Sequence, residues 1–172
     1  MNQLKWKNDK EYMSYVEDLL QQPEVRQLRE YNHHYYNNRL NHSIAVSYYS
    51  YLVAKQVNAD ARAVARAGLL HDLYFYHREE AKEILNGHSH NASHPQIALK
   101  NAEHLTELSD IERDIIVSHM WGATRRRPKY KESYIVTLMD KYCAISDLAI
   151  PLRNKTRRMV NRYNHKYHHA SS

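Results

Sequence analysis

The residues best able to do chemistry in this chain are histidines and aspartates spread along much of its length. An adjacent pair, His71 and Asp72, ends the segment AGLLHDL; His42 stands upstream in RLNHSIAV, and Asp140 lies downstream inside the apolar run IVTLMDKYCAI. Neutral imidazole and carboxylate together are the usual ligands of Zn, Mn, Fe or Co. A His-Asp dipeptide alone carries little weight, since the commoner role of such a histidine is a hydrogen-bonded residue near the core. Asp140 adds to it, because an unpaired carboxylate is costly to bury and demands a partner. His94, at an expected helix start, and His119, near an expected helix end, extend the series.

These residues can meet only if the elements carrying them converge. Apolar residues recur at helical spacing through most of the chain. Asn8 with Glu11 resembles a capping box ahead of Tyr12, Val16, Leu19 and Leu20, and a short helix is expected from Pro23 to about Tyr31. The segment YNHHYYNNR reads as a loop. A helix over 41–57 and an Ala-rich one over 61–72, with Asn58 as stop and Asp60 as N-cap, form an expected antiparallel hairpin. Its legs span roughly 24 Å and roughly 17 Å at 1.5 Å per residue, so His42 and His71 return to about the same end. Further helices are expected over 79–86 with Gly87 as C-cap, 93–107 with Pro95 in the first turn, 109–120 with a Ser109 and Glu112 capping box, 131–147 and 152–166.

Length and composition agree with this. With 172 residues, three Gly and four Pro, the chain has room for one core but few turn and bulge residues for a large sheet. The expectation is an all-α, compact multi-helix bundle: a single domain over 1–172, with N-terminal helices in 1–38, the core in 39–147 and a basic C-terminal helix in 148–172. One cysteine, Cys143, excludes an internal disulfide, and the N-terminal stretch lacks the apolar core of a signal peptide, so the expected location is cytoplasmic. No stretch approaches the roughly 20 apolar residues of a membrane span. A net charge of +6 points to an anionic partner. The basic residues gather in two clusters, Arg125 to Lys131 and Arg153 to Lys166, each read first as a solvated face.

The spaced His, His-Asp pair and final Asp resemble the signature of the HD-domain phosphohydrolases, over about 39 to 147. The resemblance implies that His42, His71, Asp72 and Asp140 hold one divalent metal. SHPQIALKNAEHL and ERDIIVSHMW are similar to the extra histidine segments of the HDIG-like branch, which implies a second metal on His94 and His119, with Asp72 bridging. Leu73 and Tyr74 follow the dyad in place of Ile and Gly, and GATRRRPK stands where a Gly-Tyr-Pro loop would fall, which argues against cyclic dinucleotides as substrates. The implied activity is hydrolysis of a phosphoester in a small phosphorylated metabolite or nucleotide. One or two ions of Fe, Mn, Co, Zn or Ni would supply hydroxide, with Asp72 as the catalytic residue that orients it. Arg39 is the first choice for binding phosphate, with Arg126 and Lys129 beside it; Lys141 and His77 are candidate acids, and His88 and His90 read as loop residues. The alternatives are a di-iron oxygenase on the same ligands, or a non-catalytic module gripping RNA or another anion. YYSYLV reads as core first and as a homodimer surface second.

Overall fold

The computed structural model describes residues 5–33 and 37–147. Helix α1 (Lys10–Gln21) begins at Asp9, whose carboxylate accepts from the Tyr12 amide. The cap is therefore Asp9 rather than Asn8, and Glu11 is released to pair with Lys55 on a neighbouring helix. Tyr12, Val16 and Leu19 form its buried stripe. Helix α2 (Pro23–Gln27) continues as a 3-10 turn over Leu28–Glu30, filling the short helix expected there. The segment read as a loop contains a small antiparallel ribbon, β1 (Asn32–His33) against β2 (Asn37–Asn38).

Helix α3 (Arg39–Gln56) starts two residues earlier than expected because Asn38 caps it, its side chain accepting from the Asn41 amide. It is buried on most sides, which explains why its sequence lacks a clean polar face. Asn58 reverses the chain at φ 51, Asp60 caps the Ala63 amide, and α4 (Ala61–Leu70) returns along α3. The two helices touch nearly backbone to backbone: a Cβ on Gly68 would lie 2.9 Å from Ser47 Cα. Ser47 Oγ donates to the Ala65 carbonyl across the same contact.

A 3-10 turn (Arg78–Glu80) and the short α5 (Ala81–Ile84) follow, closed by Gly87 at φ 80. Helix α6 (His90–Leu105) begins three residues before its expected start, so Pro95 lies inside it rather than in its first turn. A proline one turn in removes a single helical donor, and the extended Ser89 is a natural starting point. Helix α7 (Asp110–Ser118) has the expected reciprocal cap between Ser109 and Glu112. Residues 131–147 form α8. The expected helix 152–166 and its basic cluster lie outside the described residues.

The protein is all-α apart from the small ribbon. The α3–α4 hairpin is its centre, with α1 and α7 against α4 and α6 against α7. One continuous core, including Tyr12, Tyr51, Leu69, Leu70, Ile115 and Ile116, runs between them. Each such side chain contributes roughly 1.5–3 kcal/mol by leaving water. Among the described residues no helix is long and apolar enough to cross a membrane.

Candidate metal centre

Five helical ends and turns deliver the six candidate ligands. His42 lies in the first turn of α3, His71 caps the C-terminus of α4 with Asp72 next to it, His94 lies near the start of α6, His119 caps α7, and Asp140 projects from α8. On one side His42 Nε2 is 3.0 Å from Asp140 Oδ1, and His71 Nε2 is 3.7 Å from both Asp140 Oδ1 and Asp72 Oδ2. On the other, Asp72 Oδ1 is 3.3 Å from His94 Nε2 and 3.6 Å from His119 Nε2. The two oxygens of Asp72 thus face two different histidine sets. Within His42, His71 and Asp72, and again within Asp72, His94 and His119, one donor atom from each residue lies within 4.8 Å of the others.

The donors are set in the state a cation needs. His71, His94 and His119 donate from Nδ1 to the carbonyls of Gly68, His90 and Ile116, at 2.8, 2.9 and 2.7 Å. A carbonyl can only accept, so each Nδ1 carries a proton and Nε2 is the nitrogen left to offer a lone pair when the ring is neutral. His94 Nε2 and His119 Nε2 then face each other at 2.9 Å, two lone pairs in contact, which a shared cation would reconcile. His71 Nε2 is buried without a hydrogen-bond partner. The residues therefore fit a divalent metal on both sides of Asp72.

The electrostatics divide the rings: burial lowers the His71 imidazole, but the Asp72 and Asp140 carboxylates outweigh it and raise it. Burial, reinforced by His94 and His71, pushes the His119 imidazole down to about 3, keeping it neutral. Burial alone would raise the Asp72 carboxyl, but His71 and then His94 overcome it and hold it well below the usual range. Asp140 is held low in the same way by His42 and His71. His42 moves oppositely: burial lowers it, yet its hydrogen bond to Asp140 and the Asp147 carboxylate raise it to about 9, so a proton on this ring balances Asp140.

A cavity of about 500 Å³ opens onto the centre, with Asp72, His94, His119 and Asp140 in its wall, while His42 and His71 are fully buried. The rest of the lining includes Tyr74, His90, Asn32, Asn91, Glu79, Arg78 and Lys141. Arg39 is elsewhere. Its guanidinium is buried, donates to the carbonyls of Tyr74 and Tyr76 at 2.6 and 3.1 Å, and lies 3.6 Å over the Tyr74 ring. It clamps the segment after the dyad and does not line the cavity. Arg126 and Lys129 are exposed on the loop after α7, also outside the lining. The cations that do line it are Arg78, which no periodicity or motif marks, and Lys141, whose ammonium donates to the Trp121 carbonyl at 2.6 Å. His90, expected in a loop, opens α6 and stacks on His94 with ring centres 4.5 Å apart.

The helical bundle gathers buried histidines and aspartates into two groups that could hold a metal ion. The HD domain family model matches residues 39–145, well over half of the chain, and the protein belongs to that family. HD domains are usually metal-dependent phosphohydrolases. No solved structure matches the chain.

Proposed function

We propose that this HD-domain protein is a cytoplasmic, single-domain phosphohydrolase with two divalent metals, acting on a small phosphorylated metabolite or nucleotide. The observation that carries the reading is Asp72, whose two carboxylate oxygens are directed at two separate sets of histidine nitrogens. His42, His71, Asp72 and Asp140 would hold one cation, and Asp72, His94 and His119 the other. Bound cations of this kind supply hydroxide at neutral pH and neutralise phosphoryl oxygens.

The chain's own residues do the rest. Asp72, between the two positions and in the cavity wall, is placed to orient the attacking water. Arg78 and Lys141 give the cavity its positive charge and would draw the phosphate toward the wall formed by Asp72, His94, His119 and Asp140. Asn32, Asn91 and Glu79 offer hydrogen bonds to the remainder of the substrate. Arg39 serves indirectly, by fixing the backbone that carries Tyr74.

The test is phosphate release from a panel of phosphomonoesters and nucleotides by protein loaded with Mn, Co, Fe or Mg. Release that requires metal and vanishes in Arg78→Ala, with metal content unchanged, supports the reading. A mixed-valent di-iron centre without phosphate release would replace it with oxygenase chemistry.

A further inference from the structure

Three histidines of the centre rest Nδ1 on a main-chain carbonyl; His42 does not. Its Nδ1 faces the Asp147 carboxylate, Oδ2 lying 3.7 Å away. Asp147 is only 3% exposed, and the same oxygen accepts a hydrogen bond from Asn37 Nδ2 at 3.0 Å, which fixes its direction. Asp140 and Asp147 lie two helical turns apart on one face of α8 and approach the His42 ring from opposite nitrogens, Nε2 and Nδ1. The helix that contributes a candidate ligand thus also backs a second one.

We propose that Asp147 is a positioning residue that makes the His42 side the tighter of two unequal metal positions, an inference that rests on the binuclear reading above. A carboxylate on the distal nitrogen keeps the proton at Nδ1, orients the ring and makes Nε2 a more basic donor than a carbonyl-backed imidazole. It also adds negative charge: Asp72, Asp140 and Asp147 surround the His42 and His71 side, whereas among the described carboxylates Asp72 is the one within 4 Å of His94 and His119. A cation entering the centre therefore occupies the His42 side first. The second, held by fewer donors and facing the cavity, exchanges more readily.

The experiment is a Mn(II) titration of the metal-free full-length chain, with free Mn(II) followed by its electron paramagnetic resonance signal. The native chain is expected to show a tight and a weak class, and His94→Ala to lose the weak one, which identifies it. Asp147→Asn keeps the shape and removes the charge; the tight class should weaken by about 10- to 100-fold with the weak class unchanged. Asp147→Glu should restore part of the loss, and Asn37→Ala should give a smaller loss in the same class. Native affinities in Asp147→Asn, or an equal loss in both classes, would overturn the proposal. Should Asp147→Asn not fold, an unchanged tight class in both Asp147→Glu and Asn37→Ala would overturn it instead. If the native chain takes up no Mn(II), the binuclear reading itself fails; if only the Asp147 variants behave as native, that reading stands and this inference falls.

Discussion

Removing the Asp72 carboxylate takes a donor from both histidine sets at once, whereas removing His94 takes one from a single set. Asp72→Ala is accordingly expected to lose both metals and all phosphate release, and His71→Ala to lose metal and activity together, each checked by elemental analysis beside an activity assay. Full activity in either would sink the site assignment. Arg39→Ala is a different kind of change. It leaves the carbonyls of Tyr74 and Tyr76 without their charged donor and opens a void under the Tyr74 ring. The expected result is a loss of about 3 kcal/mol in unfolding free energy, read by denaturant titration. The residues that meet at the centre are marked by the His, His-Asp and Asp spacing taken together, and by an apolar run in which Asp140 needs a partner. The cations that line the cavity are not. Proximity in sequence drew attention to Arg39, but a residue three positions from His42 on a buried helix points into the protein, while Arg78 reaches the cavity only through a turn whose path no pattern announces.

At the scale of elements, the α3–α4 hairpin brings His42 and His71 to one side of the centre, and its close approach depends on Gly68. Gly68→Ala would gain about 1 kcal/mol in helix propensity. The added methyl would meet the Ser47 backbone at 2.9 Å, and backbone cannot swing aside, so a net destabilisation of about 1–2 kcal/mol is expected from thermal unfolding. Ser109→Ala removes the side-chain half of a reciprocal cap, leaving the backbone amide of residue 109 on Glu112, and should cost about 1 kcal/mol. Helix order was readable because stops and caps are chemical: Asn58, Asp60, Gly87 and Ser109 all act as their side chains or backbone freedom suggest. Two boundaries were less readable. Asp9 and Asn8 are equally good caps in isolation, and it is Asp9 whose side chain accepts from the Tyr12 amide. The β1–β2 ribbon is too short to show alternation in sequence, and only its antiparallel pairing reveals it.

For the whole molecule, the centre couples stability to pH and to metal. Asp72 and Asp140 sit below their ordinary value of 3.8, so their contribution is present above about pH 4 and lost as pH falls further. His42 is raised from 6.5 to about 9, so its contribution is complete below pH 6.5 and is lost as pH rises through 9. His119 is lowered from 6.5 to about 3 and His90 to about 4, so each opposes folding increasingly as pH falls below 6.5. The metal-free protein should therefore be most stable near pH 6.5, with a thermal midpoint that falls toward both pH 4 and pH 9. Ligands hold a cation only when deprotonated, so metal-loaded protein should keep its midpoint through the alkaline range and release metal on acidification. A midpoint independent of metal across that range would contradict the coupling. The central claim is tested most directly by the metal content of protein purified without added metal or nickel resin, followed by phosphate release from the same sample. The account predicts about two ions per chain and metal-dependent release; no bound metal under any loading condition would contradict it.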